Sequence, residues 1–414
     1  MRVLWFYISV PGKYHTDENY VTAGWQDSLE AIVRGIPDVE LIVAFRGKGT
    51  EKIVDGVKYL PMDIKFNLYE KVKANFTWSV ECEKVVKESI RIVEKYQPDV
   101  IHIFGTEWPF GLIAEKTNVP IVVHIQGAAG PCYNAKYSPG YNFATYLFAM
   151  RGNLARYIFY GFQSLKQRTR VKMEKRIFCC VENYMGRTKW DKAISSVCHP
   201  NCRYFYVNEA LRPSFQQQSS TQWKLPDKGM PIVLTTIGCG TLYKGADMLL
   251  KTAKLLKQLG VKFSWNLVGF MPNELKKLVE YKEKCHFENL DIHLRGSIKP
   301  DELSHLLCSS TLYVHVSYID NSPNSLCEAQ ILGVPIISTN VGGISSLVED
   351  GMTGILVPAN DPYRMAYEVI ELINDRSRME SLSQQGREAA LLRHNPESIK
   401  KGLLDCYTTL INSK

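Results

Sequence analysis

The most informative part of this chain of 414 residues reads Ser317-Tyr-Ile-Asp320-Asn-Ser-Pro-Asn-Ser-Leu-Cys-Glu328-Ala-Gln-Ile-Leu-Gly333-Val-Pro335. An apolar run at Leu312–Val316 precedes it and predicts a buried strand, and Pro335–Ser338 predicts a second strand. A helix is predicted between them, beginning near Ser322 to Ser325. This order of strand, helix and strand predicts a parallel pair whose carboxyl ends lie at one edge of a sheet.

The same alternation extends through both halves of the chain. It predicts an α/β fold with two Rossmann-like, doubly wound domains that face each other across a cleft. The first domain is placed at residues 1–212, a polar linker at 213–228, the second domain at 229–395, and a C-terminal helix, a candidate for packing back on the first domain, at 396–414. The other predicted strands are Val3–Ser9, Val39–Phe45, Val100–Phe104, Ile121–Ile125, Ile177–Val181, Tyr204–Val207, Ile232–Ile237, Phe263–Val268 and Ile292–Arg295.

Composition excludes several classes of protein. Hydrophobic residues make up 45% and charged residues 22% of the chain, which is typical of a globular protein rather than a disordered or membrane-spanning one. The apolar start ends at Pro11-Gly12, too soon for a secretion signal. Eleven cysteines without C-x-x-C spacing then predict a reducing, cytoplasmic location.

Positive charge concentrates in one segment. Residues 141–192 hold 11 Lys or Arg against three Asp or Glu, an excess equal to the +8 of the whole chain. Two interpretations stay open: a helical pair with a solvated basic face, and a surface that binds an anionic membrane at the inner face of the cell. Nucleic acid is not expected, because no nucleic-acid motif accompanies the segment. The interleaved aromatic residues are Tyr146, Phe148, Tyr157, Phe159, Tyr160 and Phe162.

Two features at predicted strand ends indicate phosphate chemistry. The loop Gly238-Cys-Gly240-Thr-Leu-Tyr-Lys244-Gly245 joins a strand to a helix at Ala246–Leu259, so backbone N–H groups can approach an anion and Lys244 can add a charge. A purely structural turn stays open as the alternative. Asp320 and Glu328 add two carboxylates. Pro323 is expected at the first helical position, and Ser325 with Glu328 fits a capping box, which is the alternative role for this glutamate.

With these residues the chain resembles family 4 of the retaining glycosyltransferases, the glycosyl transferases group 1. Their hallmark is an E-x7-E motif, a G-x-P turn and a Gly-Gly loop on a GT-B fold. The matching elements are Lys244-Gly245, Glu328, Gly333-Val-Pro335 and a closing strand at 351–358. The resemblance implies that Glu328 binds nucleotide ribose hydroxyls and that Asp320 and Lys244 act in catalysis. It implies further donor contacts at Gly240, Pro323, Asn324, Ser325, Leu326, Gly342 and Gly343.

Three positions depart from the family pattern. Asp320 stands in place of the first glutamate, Cys239 stands where the family often has a phosphate-binding arginine, and Ser346 stands where an acid often follows the Gly-Gly pair. Arg295, at the end of a predicted strand, is a candidate replacement for that arginine, with a solvated or core-pairing arginine as the alternative. The departures leave the identity of the donor open.

The resemblance extends to the first domain. Ala23-Gly24-Trp25 is similar to the family's glycine loop, and Val119-Pro-Ile-Val-Val-His124 to a strand whose histidine lies near the transferred sugar. It implies a catalytic His124, with a structural histidine as the alternative, whereas His102 is expected in the core. A solvated Glu107 and a salt-bridged Arg187 are alternatives to acceptor binding. The expected acceptor contacts are Gly24, Trp25, Glu107, Gln126 and Arg187.

The resemblance implies a retaining transfer of a hexosyl group from a UDP- or GDP-linked sugar to a glycan or lipid-linked acceptor, in bacterial surface polysaccharide synthesis. The leaving phosphate would take the acceptor's proton, so no metal, cofactor or protein nucleophile is expected. Cys198-His199-x-x-Cys202 is too compressed for a zinc site. Two alternatives are a sugar-nucleotide epimerase or phosphorylase on the same scaffold and a carbohydrate-binding protein without catalysis.

Overall fold

The computed structural model describes residues 1–14, 24–149, 154–216 and 222–413, and of residues 25, 154–157 and 159–160 it describes the backbone alone. The strands are β1 (Arg2–Tyr7), β2 (Glu40–Arg46), β3 (Lys52–Val54), β4 (Val57–Met62), β5 (Val100–Phe104), β6 (Ile121–His124), β7 (Asn183–Gly186), β8 (Arg203–Tyr206), β9 (Ile232–Ile237), β10 (Phe263–Val268), β11 (Ile292–Gly296), β12 (Leu312–His315), β13 (Ile336–Thr339) and β14 (Ile355–Val357). The helices are α1 (Trp25–Arg34), α2 (Leu68–Ala74), α3 (Ser79–Tyr96), α4 (Ala129–Asn134), α5 (Phe143–Ala149), α6 (Leu154–Cys180), α7 (Lys189–Cys198), α8 (Pro213–Gln216), α9 (Ala246–Gln258), α10 (Asn273–Glu283), α11 (Pro300–Cys308), α12 (Asn324–Ile331), α13 (Pro362–Asn374), α14 (Arg376–Arg393) and α15 (Pro396–Asn412).

The chain divides into two compact units, each built on one sheet. The first unit comprises residues 1–133, 158–210 and 394–414, and the second comprises residues 134–157 and 211–393. This differs from the predicted domains at residues 134–157, which belong with the second unit. The reason is packing, because Tyr141 is buried and donates a hydrogen bond to Glu283 of α10 at 2.7 Å.

The predicted linker and C-terminal helix are both packed against a unit. Residues 213–216 of the linker form α8, residues 217–221 lie outside the described residues, and Trp223 is buried and donates to the Ser310 carbonyl at 2.8 Å. The helix α15 packs on the first unit, where the indole N–H of Trp5 donates to the hydroxyl of Tyr407 at 3.1 Å.

The sheet of the first unit has the strand order β3-β4-β2-β1-β5-β6-β7-β8. Its described neighbours pair in parallel, except for the antiparallel β3 and β4. Every residue of β5 is buried, as expected for a strand with helices on both faces. The order reverses between β1 and β5, so the loops after these strands flank the crevice where such sheets bind ligands.

The sheet of the second unit has the order β11-β10-β9-β12-β13-β14, with all described neighbours parallel. If the six strands of this sheet are numbered 1 to 6 along the chain, their spatial order is 3-2-1-4-5-6. This is a doubly wound arrangement, as predicted. The predicted strands Ile232–Ile237 and Phe263–Val268 are confirmed as β9 and β10. Here the order reverses between β9 and β12, which places the loops after these two strands at the ligand-binding position.

Two predictions of secondary structure in the first unit are wrong or incomplete. Ile177–Val181 was predicted as a strand, but it covers the end of α6, where Met173 and Ile177 are buried one helical turn apart. A short apolar run fits either structure. The hairpin of β3 and β4 was missed, although its turn, Asp55-Gly56, is a strong hairpin signal with φ of 50° and 82°.

Candidate functional site

Three loops of the second unit meet at the carboxyl edge of its sheet. They follow the neighbouring strands β9, β12 and β13, and we call residues 238–245, 316–321 and 340–343 the three-loop cluster. The N–H of Tyr318 donates to the carbonyl of Tyr243 at 2.7 Å, and the N–H of Gly343 donates to the carbonyl of Asp320 at 3.0 Å. Backbone hydrogen bonds therefore join all three loops.

Two glycines allow this close approach. A Cβ atom on Gly245 would lie 1.9 Å from the Val316 carbonyl oxygen, and one on Gly342 would lie 1.9 Å from the Asp320 carbonyl oxygen. Both glycines have a positive φ, 82° and 52°, which other residues rarely adopt. The glycines that the sequence marked are thus needed for the loops to pack against each other.

The charged centre of the three-loop cluster is an ion pair between Lys244 and Asp320. The ammonium Nζ lies 2.7 Å from Oδ2 of Asp320, and Nε2 of His315, at the end of β12, lies 3.1 Å from the same oxygen. Burial alone would raise the pKa of Asp320, but Lys244 and His315 outweigh it and hold this pKa well below its ordinary value. Asp320 is therefore ionised at neutral pH and fixes the position of the Lys244 ammonium.

The helix α12 begins directly after the Asp320 loop. Its N-cap is Pro323 rather than a residue with a capping side chain, so the prediction of Pro323 at the first helical position is wrong by one residue. Asn324, Ser325 and Leu326 form the first turn, whose N–H groups are the positive end of the helix. Within residues 222–413, the buried Ser322 Oγ and Asn324 Oδ1 have no hydrogen-bond partner.

The capping box that was the alternative role for Glu328, with Ser325, does not form. The hydroxyl of Tyr313 on β12 donates to Ser325 Oγ at 2.9 Å, and Glu328 faces Arg212 instead. Nε and Nη2 of Arg212 each donate to one carboxylate oxygen of Glu328, both at 2.7 Å. Burial raises the pKa of Glu328, and Arg212 opposes that rise.

A second buried carboxylate, that of Asp247, binds side chains of the three-loop cluster and its surroundings. Asp247, in the first turn of α9, accepts hydrogen bonds from the hydroxyls of Tyr318 at 2.8 Å and Ser138 at 2.9 Å. The Ser138 hydroxyl also lies 3.2 Å from the Leu242 carbonyl, in the loop that carries Lys244. Ser138 therefore helps to hold the loop that carries Lys244 in place.

Sequence reasoning missed three of these residues: Arg212, His315 and Asp247. No local pattern marks Arg212, because its partner lies 116 residues away. Asp247 was missed because an acidic residue in the first turn of a helix is common and does not by itself indicate a site.

Of the three positions that depart from the family pattern, Asp320 forms the charged centre with Lys244, Cys239 lies in the loop that carries Lys244, and Ser346 lies just after Gly343. Cys239 is buried, its thiol donates to the Lys244 carbonyl at 3.5 Å, and burial raises its pKa to about 12. Arg295 is exposed on β11, three places from β12 in the sheet, and donates to Asn266 Oδ1 at 2.8 Å. Gly240 packs closely, since a Cβ there would lie 3.0 Å from the Phe270 carbonyl oxygen.

At the carboxyl edge of the first unit, His124 ends β6 and is fully buried. Its ring centroid lies 5.3 Å from that of His102, and Nδ1 of His102 lies 2.7 Å from the Tyr407 hydroxyl. Burial lowers the pKa of His124 well below its ordinary value and that of His102 to about 3, so both rings are neutral. The core position predicted for His102 is confirmed.

Arg187 and Gln126 lie together at the same edge. The guanidinium of Arg187 is buried, lies 3.0 Å from a Glu209 carboxylate oxygen, and donates to the Gln126 side-chain oxygen at 3.2 Å. The structure therefore shows the salt-bridged arginine that was the alternative to an acceptor contact. Because Glu209 neutralises it, Arg187 fixes the Gln126 amide rather than presenting a free charge.

The other first-unit residues have mixed outcomes. Glu107 is half-buried, not solvated, and burial raises its pKa. Its two carboxylate oxygens lie 2.2 Å and 2.9 Å from where Cβ atoms on Gly105 and Gly127 would be. Gly24, with φ of 69°, precedes α1. The side chain of Trp25 lies outside the described residues.

The described residues lack two further features. They contain no group of three or more His, Cys, Asp or Glu side chains that could hold a metal ion. No helix within them has both the length and the apolar character needed to span a bilayer.

The match to a family model lies within the second unit, and the matches to solved structures extend over both units. Residues 217–389 match the family model described as glycosyl transferases group 1. The capsular polysaccharide biosynthesis glycosyltransferase CapM of Staphylococcus aureus is 32% identical over 168 residues, 41% of this chain and 43% of CapM. The chain spans less than half the length of the curated relatives that it matches first.

Among solved structures, the sucrose-phosphate synthase of Thermosynechococcus elongatus aligns over 100% of both chains, with a TM-score of 0.72 and 16% identity. HepE of Anabaena, solved in complex with UDP-glucose, aligns over 99% of this chain and 100% of its own, with a TM-score of 0.65 and 13% identity. The fold is that of the GT-B glycosyltransferases.

Proposed function

We propose that this chain is a glycosyltransferase that moves a hexosyl group from a UDP- or GDP-linked sugar to a glycan or lipid-linked acceptor, in the synthesis of a bacterial surface polysaccharide. One observation carries the proposal: the three-loop cluster holds Lys244 and Asp320 directly before the start of α12, within the residues that match the family model. CapM supports the polysaccharide context, and the UDP-glucose bound to HepE supports a nucleotide-sugar donor.

The chemistry of the leaving group favours this site. As the bond from the sugar to the diphosphate breaks, negative charge develops on the phosphate oxygens, and fixed positive groups lower the barrier. The Lys244 ammonium and the N–H groups of the first turn of α12 are such groups, and the proposed donor contacts include the Gly342-Gly343 loop beside Asp320. The ionised Asp320 keeps the ammonium oriented, so little reorganisation is needed when charge develops.

The donor's nucleoside is assigned to Glu328, whose carboxylate would accept hydrogen bonds from the ribose hydroxyls. Transfer is proposed to retain the configuration of the sugar, by attack on the face that the leaving diphosphate departs from. The departing phosphate then takes the acceptor's proton, so the nucleotide sugar is a substrate and no cofactor or metal is required. This route needs no carboxylate nucleophile, in contrast to retaining glycosidases.

Acceptor binding is assigned to the carboxyl edge of the first unit. The fixed amide of Gln126 suits the hydrogen bonds of sugar hydroxyls. The neutral ring of His124 at the same edge is proposed to act in catalysis, near the transferred sugar. Glu107 would accept from a hydroxyl at the crevice beside β5. Gly24 and Trp25 are the remaining proposed contacts.

Membrane association is proposed for the first unit because apolar and basic side chains share its surface. On α2, Leu68, Tyr69 and Val72 are exposed, and the exposed Lys71 and Lys73 lie among them in sequence. Phe76, after α2, packs on Phe162 of α6 with ring centroids 4.4 Å apart. The basic segment 141–192 contains α6, although the side chains of Tyr157, Phe159 and Tyr160 lie outside the described residues. Such a surface suits the anionic inner face of a cell membrane.

The direct test is a thermal-shift screen with UDP, GDP, ADP and their sugars, followed by product analysis of the best donor with lipid-linked glycan acceptors. A ligand that binds only the folded state raises the unfolding temperature. Conversion of the donor to an isomer without an acceptor would identify an epimerase and overturn the proposal. Binding of glycans without any nucleotide effect would identify a carbohydrate-binding protein.

For the membrane, the test is sedimentation with vesicles of phosphatidylcholine alone or mixed with phosphatidylglycerol. We expect binding to the mixed vesicles that falls with salt and is lost in the double variant Leu68→Asp, Val72→Asp. Equal binding to both vesicles would contradict an electrostatic membrane surface.

A further inference from the structure

We infer that Arg212 is a positioning residue of the nucleotide site: its guanidinium holds both oxygens of Glu328 in one orientation for the ribose hydroxyls. The inference rests on the proposed function, because it requires that Glu328 bind a nucleotide. It assigns a role to a residue that lies outside every motif of the sequence.

The geometry is that of a two-pronged arginine–carboxylate pair. Nε and Nη2 of Arg212 each lie 2.7 Å from a different oxygen of Glu328, an arrangement that matches the planar shapes of both groups. The Glu328 side chain is 3% exposed and the Arg212 side chain 20%. Arg212 is itself held, since its Cζ lies 4.8 Å from the centroid of the Phe215 ring.

This arrangement leaves Glu328 able to bind a ligand. An ionised carboxylate offers about four lone-pair positions, and Arg212 occupies two of them. The remaining positions suit two adjacent hydroxyls on one face of a ribose ring. Arg212 therefore determines which lone pairs stay free and where they point.

Arg212 also opposes the electrostatic cost of burying Glu328. Among the neighbours of this carboxylate, Tyr313 on β12 is a second titratable group, but its hydroxyl donates to Ser325. On α14, the guanidinium of Arg393 binds the Gln330 side chain and the Leu347 carbonyl instead. Burial raises the pKa of Glu328 and Arg212 lowers it, so loss of Arg212 favours the protonated form.

The experiment compares Arg212→Met and Arg212→Lys with the unaltered protein by titration calorimetry. UDP and GDP are measured first, and the nucleotide that binds is then compared with its 2′-deoxy and 3′-deoxy forms between pH 6 and 9. In the unaltered protein we expect each missing hydroxyl to weaken binding by about tenfold or more, as for hydrogen bonds to a charged group. In Arg212→Met this discrimination should be weaker than in the unaltered protein and should weaken further as pH falls, because loss of Arg212 favours the protonated form of Glu328.

Arg212→Lys should keep the pH profile of the unaltered protein, since the positive charge remains, but with weaker discrimination because a lysine cannot bind both oxygens in one plane. Arg393→Met is the matched control: it removes another arginine that binds α12, and should leave hydroxyl discrimination unchanged. In a Glu328→Gln background, Arg212→Met should have no further effect on discrimination. This double variant carries no unpaired buried charge, so it also serves if Arg212→Met does not fold.

Equal hydroxyl discrimination in the unaltered protein and in Arg212→Lys or Arg212→Met, at every pH, would overturn the inference and leave the proposed function intact. Absence of UDP and GDP binding by the unaltered protein would instead overturn the assignment of Glu328, and the inference with it.

Discussion

The carboxyl edges of the two sheets are held together in different ways. In the second unit the loops touch through backbone, with Gly245 against the Val316 carbonyl and Gly342 against the Asp320 carbonyl. In the first unit long side chains join the loops: the buried Glu174 of α6 accepts from the Thr106 hydroxyl at 2.6 Å and from the N–H of Ala129 at 2.7 Å.

The two edges also differ in charge. In the second unit, the partly exposed ammonium of Lys244 lies beside the ionised carboxylate of Asp320 and close in sequence to the start of α12. Such an arrangement can bind an anion. The first unit keeps His102 and His124 neutral through burial and pairs Arg187 with Glu209. The proposed function assigns the anionic diphosphate to the second edge and the uncharged acceptor hydroxyls to the first, in agreement with this difference in charge.

The largest effect is expected from Lys244→Ala. Removal of one group that stabilises developing charge typically lowers turnover by about 10²–10³-fold, or about 3–4 kcal/mol. The measurement is turnover of the nucleotide sugar identified by the screen. Lys257→Ala, which breaks a surface pair with Asp291, is the control and should change turnover less than twofold. If Lys244→Ala keeps turnover within threefold of normal, the assignment of an anion-binding site to this edge is wrong.

The backbone contacts are tested by Gly342→Ala against Gly351→Ala. Both glycines have a positive φ, so each change costs about 1 kcal/mol in strain. Only Gly342 has a carbonyl 1.9 Å from the added atom, whereas Gly351 has no atom within 4 Å. We expect Gly342→Ala to cost about 3 kcal/mol in unfolding free energy and to lower turnover, because Asp320 must move. If denaturant titrations show that Gly342→Ala and Gly351→Ala lower the unfolding free energy equally, the close packing of Gly342 on the Asp320 carbonyl is contradicted.

The neutral histidines predict acid sensitivity. The pKa of His102 is lowered from 6.5 to about 3 in the folded protein, so the unfolded chain binds a proton that the folded chain does not. The stability present at neutral pH is therefore lost as pH falls through 6.5, by about 1.4 kcal/mol per pH unit for each such histidine. His102→Phe should reduce the slope of unfolding free energy against pH, between pH 6 and 4, by about 1.4 kcal/mol per pH unit. At pH 7 the variant should be less stable by about 1 kcal/mol, because the hydrogen bond to Tyr407 is lost. An unchanged slope in denaturant titrations would show that His102 is protonated in the fold.

The smallest effect is expected from Arg295→Ala. The side chain is exposed on an outer strand and binds Asn266, so we expect a change in unfolding free energy within about 0.5 kcal/mol and turnover within twofold. A tenfold loss of donor affinity would instead identify Arg295 as the missing phosphate-binding arginine.

The contrast between the edges explains what the sequence could predict. A backbone contact needs a residue without a side chain, so Gly245 and Gly342 are visible in the sequence and led to Lys244 and Asp320. A side-chain contact needs only a compatible partner, which tertiary packing selects from distant parts of the chain. Glu174 and Thr106 are 68 residues apart, and no local pattern joins them.

The same reasoning applies to secondary structure. Long alternating segments predicted two parallel, doubly wound sheets, because parallel pairing follows from strand, helix and strand. The end of α6 was predicted as a strand because Ile177–Val181 is short and apolar, and only its contacts with the rest of the core select a helix. Arg212 was missed for a related reason, since its role depends on Glu328.

The division of the chain has a consequence for its synthesis. The first unit takes three separate segments and the second takes two, and residues 394–414 belong to the first. During synthesis, all residues of the second unit are therefore present once Arg393 has been added. At that point Tyr407 of α15, the hydrogen-bond partner of Trp5 and His102, has not yet been made. A chain that stops between Arg393 and Tyr407 would therefore lack α15 from the core of the first sheet, while every residue of the second unit is present.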